Sequence, residues 1–182
     1  MDEVLQVVKA RRSVRDFEKK EIPKAVLDKL IDAILWAPSA GNLQARRFFF
    51  VSDQPIKKEL VTAALGQHFL SEAPLVVVGC TDSSIGNKYG ERGRYLYSVQ
   101  DVACSIMNLM LVACENGLGS VWTGAFSEDK VAKILGLAGH LRPVVLVPVG
   151  YPSRVPKAPP RISAREAVIF ITGKNDKNPD VA

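Results

Sequence analysis

The sequence predicts an α+β domain with about four strands and helices on both faces of the sheet. Three observations carry this. Apolar runs of strand length stand at residues 48–52, 75–80, 120–123 and 144–149. Segments with a helical period lie before and between them. Their order is mixed, with helices, then strands, then one large helix. The 182 residues read as a single domain spanning 1–182.

Residues 3–11 form a short helix whose apolar side is Val4, Leu5, Val7 and Val8. Residues 24–36 form a clearer one, since Leu27, Leu30, Ile31, Ile34 and Leu35 recur at helical spacing. Pro23 stands just before it, where proline is tolerated, and Pro38 ends it. Residues 48–52 are aromatic and β-branched, which suits a strand. Residues 55–65 read as helix. Pro74 then opens an unbroken apolar run to Cys80, the pattern of a strand buried on both faces. Residues 83–94 place Gly86, Gly90 and Gly93 among charges and read as a mobile loop.

Residues 95–116 are the longest helical stretch, apolar almost all round, as in a buried helix or an oligomer interface. Gly117-Leu118-Gly119 stops it. Ser127 is a fitting N-cap for a helix over 128–135. Pro148, inside the strand at 144–149, argues for an end or edge position. Four prolines between 152 and 160 make an extended arm. Residues 168–172 then read as an isolated strand, packed on something outside the local fold such as a partner subunit. From Lys174 the chain is a polar tail expected to fray.

The composition is that of a globular protein, 47% hydrophobic and 24% charged. A net charge of +5 suits an anionic ligand. Without a long Lys/Arg run, zinc spacing or basic-aromatic repeat, nucleic-acid binding has no specific support. Cys80, Cys104 and Cys114 form no CxxC pair and lie in apolar stretches, as small buried thiols do. With two histidines, His68 and His140, no protein-ligated metal site is expected; both read as structural or surface residues. The start of the chain has no signal-peptide core, and no apolar run approaches membrane-spanning length. The expectation is a soluble cytoplasmic protein.

Arg11-Arg12-Ser13-Val14-Arg15 packs three guanidiniums and a hydroxyl into five residues at a helix exit. Forked, permanent cations suit phosphate and carboxylate oxygens, though basic residues also favour helix ends. Pro38-Ser39-Ala40-Gly41-Asn42-Leu43-Gln44 has the composition of a ligand cradle. There is no GxGxxG after a strand, no phosphate-binding GxxxxGK[ST], no nucleophile elbow and no Ser/His/Asp spacing.

Arg11–Phe17, Ala37–Gln44, Gly117–Phe126, Pro148–Pro152 and Pro159–Arg161 resemble, in that order, the FMN-dependent nitroreductase family. The resemblance implies a central, mostly antiparallel sheet flanked by helices, with the C-terminal arm and strand exchanged with a dimer partner. It implies a homodimer with FMN at the interface. Arg11, Arg12, Ser13 and Arg15 would hold phosphate, ribityl and ring-edge oxygens, and Arg161 would be a second phosphate contact. Pro38, Ser39, Ala40, Gly41, Asn42 and Gln44 would be the loop that comes from the other subunit. Trp122, Thr123, Gly124 and Ala125 would lie along the flavin ring, with an N–H of Gly124 or Ala125 facing N5. Gln67 resembles a position near the pyrimidine edge. Tyr89, Glu91 and Arg92 lie where the family tends to place its substrate-facing segment.

No side chain is assigned a catalytic role, because the flavin carries the chemistry. The implied activity passes hydride from NADH or NADPH to the flavin and on to a small-molecule acceptor, whether nitroaromatic, quinone, flavin or oxygen, by a ping-pong cycle. A dedicated reductase of one metabolite and a non-catalytic flavin-binding protein are the alternatives. The chain departs from the pattern at Ala45-Arg46-Arg47, where many relatives carry Pro-Trp. That departure is expected to add positive charge to the flank. A His-Trp pair common at the C-terminal strand is also missing.

Overall fold

The axis of the fold is a strand with all eight residues buried, Leu75–Asp82. In the computed structural model, which describes residues 3–171, it lies inside a four-stranded sheet. The strands are β1 (Arg46–Val51), β2 (Leu75–Asp82), β3 (Gly119–Ser120) and β4 (Leu141–Gly150), in the order β1-β2-β4-β3 and antiparallel throughout. Phe49 faces Val78, Val77 faces Val147 and Ser120 faces Val149.

The unbroken apolar run of β2 is explained by helices on both faces. Alternate strand residues point to opposite sides. Leu75, Val77, Val145, Val147 and Val149 pack against α2 (Lys24–Leu35) and α6 (Ser98–Glu115), through Leu30, Ile34, Val102, Ile106 and Leu109. Val76, Val78, Cys80 and Leu146 pack on the other side against α3 (Gln54–Ala63), α4 (Phe69–Glu72) and α7 (Glu128–Ile134). A Cβ at Gly79 would lie 2.8 Å from both Val102 and Val145, so this glycine lets α6 close onto the sheet. The Ser127 hydroxyl caps α7, accepting from the Lys130 amide. Gly117, at φ +74°, ends α6.

Five expectations are corrected. Residues 83–94 are not a loop: a 3-10 turn at Ser83–Ile85, α5 (Gly86–Arg92) and a π-turn at Gly93–Tyr97 lead into α6. The Asp82 carboxylate caps the turn through the Ser84 amide, and Ile85 is buried. The glycines give room instead of slack. The Arg94 side chain fills the space beside Gly86, and Gly93 packs on Ile85 and Tyr89.

The continuous helical stretch Ser83–Glu115 is long and apolar enough to cross a membrane, contrary to the sequence expectation. Here it is a core element, packed on the sheet through Val102, Ile106 and Leu109. Its outer side leaves Cys104 and Met107 exposed, and Cys114 is half-buried, so only Cys80 is the buried thiol expected of all three. Burial pushes the Cys80 thiol up to about 12.

Pro148 lies in an interior strand, paired with Val76. Its missing donor falls on the other side. Leu146 exchanges both backbone hydrogen bonds with Thr123, and Pro148, two residues on, turns its nitrogen the same way. There the register continues but the ladder lapses, because β3 stops at Ser120 and resumes only as the Thr123–Leu146 bridge.

Residues 168–171 are exposed and outside any strand. They follow the arm and a short helix, α8 (Ala164–Ala167), closed by a Ser163/Glu166 capping box. Thr172 and the polar tail lie outside the described residues. The remaining helix, α1 (Glu3–Ala10), is expressed as the sequence predicts.

Candidate functional site

The arginine cluster leaves α1 and docks on β3. Ser13 bridges Ser120 in parallel, and the Val14 amide donates to the Ser120 carbonyl at 3.0 Å. Val14 is buried over Gly119, where an added Cβ would lie 2.7 Å from it. That plug leaves Ser13 and Arg15 exposed on either side. Arg12 turns back to the carbonyls of Lys9 and Arg11, the helix-end role basic residues often fill. Arg15 reaches forward, its guanidinium 5.8 Å from the centre of the Phe69 ring.

Beside Phe69, the Gln67 amide donates to Ala125 at 2.8 Å and to Ala64 at 2.9 Å. Residues 122–125 are thus tied to the start of α4. Thr123 is held by two backbone bonds to Leu146, of 2.9 and 3.0 Å, and its buried hydroxyl has no partner among the described residues. Trp122, Gly124 and Ala125 remain exposed. Ser13, Arg15, Gln67 and the 122–125 segment therefore share one ledge along the β3 edge.

The 38–44 loop lies elsewhere, against β1. Ala40–Asn42 form a 3-10 turn, and Gly41, Asn42 and Gln44 have φ of 54°, 55° and 51°. Left-handed backbone at a non-glycine residue costs about 1–3 kcal/mol and persists only where its surroundings fix it. The fixing groups are visible. The Asp101 carboxylate accepts from the Ala40 amide at 2.9 Å, and the Ser39 hydroxyl accepts from the Gln44 amide at 3.1 Å. The Tyr89 hydroxyl fills the space beside Gly41. Tyr89 stands edge-on to Tyr97, 5.4 Å between ring centres.

Arg46 does not add surface charge to the flank. It is 6% exposed, and its guanidinium donates to the carbonyls of Ala37, Pro38, Leu35 and Asp101 at 2.7, 2.9, 3.3 and 3.4 Å. Burial lowers its pKa, opposed by Asp101 and Cys104. Burial raises that of Asp101, opposed by the Ala40 amide and Arg46. Arg47 is the exposed one, 3.8 Å from Asp82.

Within one chain the two groups lie on opposite edges of the sheet, three strand spacings or about 14 Å apart. Arg161 joins neither; it lies exposed on the arm, donating to Pro159 and Pro160. His68 and His140 are exposed, as expected of surface residues. Sequence reasoning missed Asp101, Phe69 and the burial of Arg46. Asp101 carried a signal, being the one charge between Ser98 and Cys114 in an apolar helix.

Comparison with known proteins follows the same lines. A Nitroreductase family sequence model matches residues 8–68 and 62–151. A Methanothermobacter thermautotrophicus protein called an NADH dehydrogenase/NAD(P)H nitroreductase is 30% identical over 158 residues, covering 85% of this chain and 80% of that protein. An Archaeoglobus fulgidus protein of the same description is 31% identical over 156 residues, covering 84% and 87%. The crystal structure of a Parabacteroides distasonis protein with that description superposes with a TM-score of 0.82 at 26% identity, covering 95% of this chain and 99% of that one. Matched across most of its length in sequence, and along nearly all of it in fold, this chain belongs to the nitroreductase family and so to the oxidoreductases.

Proposed function

We propose that the protein is an FMN-dependent NAD(P)H oxidoreductase, active as a homodimer, that reduces nitroaromatic, quinone, flavin or oxygen acceptors by a ping-pong cycle. The observation that carries this reading is the split site. A ledge of Ser13, Arg15, Gln67 and residues 122–125 lies on one sheet edge, and a rigid hydrogen-bonding loop lies on the other. A second copy would bring the loop of one chain to the ledge of its partner.

The ledge suits a flat anionic group. At Gly124 the nearest atom to an added Cβ is the Trp122 Nε1, 3.8 Å away, so a ring can lie against the backbone. Arg15 has no carboxylate partner among the described residues, which leaves it for a phosphate. The Thr123 hydroxyl beneath the ledge, unpartnered among the described residues, is a donor or acceptor in reserve. FMN, when bound, supplies the two-electron chemistry between nicotinamide and acceptor. The protein's part is to hold it, to offer a backbone N–H of Gly124 or Ala125 at the ring, and to leave the other side open.

Arm exchange fits the same picture. Among the described residues the outer edge of β1 is unpaired, and it borders a groove of about 410 Å³ lined by Ile31, Ile34, Leu35, Phe48 and Phe50 together with Gln44, Arg46 and Arg47. Residues 168–171, all apolar and exposed, end an arm that also carries Arg161. Laid on a second copy, they would cover that edge.

The test is an anaerobic titration of the FMN-loaded protein with NADH and with NADPH, followed by flavin bleaching. Bleaching by either nucleotide, reversed by a nitroaromatic or a quinone, is the expected result. Bound flavin that neither nucleotide reduces would sink the proposal.

A further inference from the structure

We propose that Arg46 and Asp101 are positioning residues that hold the 40–44 loop in its ligand-ready shape. The ligand in question rests on the FMN reading above; the ordering of the loop does not.

The argument begins with the end of α2. That helix closes with no glycine and no basic residue in its last turn, and Trp36 continues its backbone bonding to Asp32. Carbonyls past the last helical turn lack intrahelical donors. Arg46 supplies them from the next strand, reaching Leu35, Ala37 and Pro38 with one guanidinium. Its fourth acceptor is the backbone carbonyl of Asp101 on α6. The entry to the loop is thereby pinned to two helices at once. A tryptophan at this position would have one side-chain donor and could not serve four carbonyls.

Asp101 fixes the next step. One carboxylate oxygen accepts the Ala40 amide at the start of the 3-10 turn. The other is buried with no hydrogen-bond partner among the described residues. A buried carboxylate left half-satisfied needs a nearby cation, and the guanidinium is there, although engaged with carbonyls. The two residues therefore depend on each other.

Downstream, the Asn42 amide donates to Ser39 and the Arg46 amide to Gln44, so the loop's backbone is satisfied inward. The side chains of Asn42 and Gln44 are left exposed. An apolar pair in place of Arg46 and Asp101 could stabilise the fold equally well. It could not dictate the left-handed run.

The experiment compares hydrogen exchange of the 40–44 amides, FMN affinity by flavin fluorescence, and thermal melting, in wild type, R46M, D101L and D101N. R46M and D101L are expected to speed exchange in 40–44 by about tenfold and to weaken FMN by a similar factor, while exchange at Val76–Val78 is unchanged. D101N, which keeps an oxygen for the Ala40 amide, is expected to stay within about threefold of wild type on both. If R46M does not fold, R46K replaces it; it keeps the charge but reaches fewer carbonyls.

Unchanged exchange in 40–44 in both the Arg46 variant and D101L overturns the proposal. So does faster exchange with unchanged FMN affinity. A wild type that binds no FMN overturns the functional reading alone, and the exchange data still decide the ordering of the loop.

Discussion

Replacing Gly119 by alanine should release the arginine cluster from the sheet. The new methyl would lie 2.7, 2.7 and 2.8 Å from the Val14 Cβ, Cγ2 and Cγ1. Carbon atoms rest about 3.5–4.0 Å apart, so Val14 must retreat by roughly 1 Å. Val14 is rooted in the backbone here, because its amide bonds the Ser120 carbonyl at 3.0 Å. Stretched by that much, the bond is lost. Overpacking costs about 1–3 kcal/mol and the hydrogen bond about 1 kcal/mol, for a total near 2–4 kcal/mol. For a chain of this length that lowers the melting temperature by roughly 5–15 °C.

The assay pairs a thermal melt with an FMN titration, since Ser13 and Arg15 flank the displaced valine. Gly117→Ala is the control. Gly117 has nothing within 4 Å of an added Cβ but sits at φ +74°, so alanine there strains the helix end without touching Val14. It should lose about 1 kcal/mol and keep its FMN affinity. A Gly119→Ala protein that melts within about 2 °C of wild type and binds FMN equally well would refute the reasoning.

Three further outcomes are expected. Arg15→Ala and Arg161→Ala should each lower FMN content with little change in melting temperature, because both side chains are exposed; unchanged occupancy in both would remove them from the clamp. If the protein is the proposed arm-exchanged homodimer, truncation after Ser163 should convert dimer to monomer in sedimentation and lower FMN occupancy; a full-strength dimer would exclude arm exchange. Asp82→Asn should be less stable than wild type at neutral pH, with the gap closing in acid. Burial pushes the Asp82 carboxyl up, but hydrogen bonds from Ser84 and the charges of His140 and Arg47 outweigh it and leave its pKa below 3.8. A depressed carboxyl stabilises above its unfolded value and loses that as pH falls through the folded one. Melting curves at pH 7 and below 3.8 check this; a gap that stays constant would refute it.

What the sequence disclosed was whatever a local pattern could encode. The unbroken run of β2 announced burial on both faces, and Ser127 announced a helix start one residue on. The glycines of 83–94 carry two meanings locally, looseness or close passage. Which applies depends on where Arg94 and Tyr89 go. Arg46 read as surface charge because its acceptors come from the end of α2 and the residues just past it, 8 to 11 residues back, and from α6, 55 residues ahead. Pro148 read as a strand end because no local rule says on which side its missing donor falls. The motifs of the ledge were each legible. Their meeting through Arg15–Phe69 and Gln67–Ala125 was a product of tertiary packing.

That interrupted seam beside Pro148 bears on how this protein can change. Gly119 to Thr123 already run opposite Gly150 to Leu146 in constant register, so a single donor at position 148 would let the ladder close across the gap. Such a substitution would look like an improvement in any screen for thermal tolerance. It would also draw Val121 into the sheet and drag on Trp122 to Ala125, the stretch proposed to lie along the ring. Selection for heat resistance and selection for turnover should therefore pull this position in opposite directions.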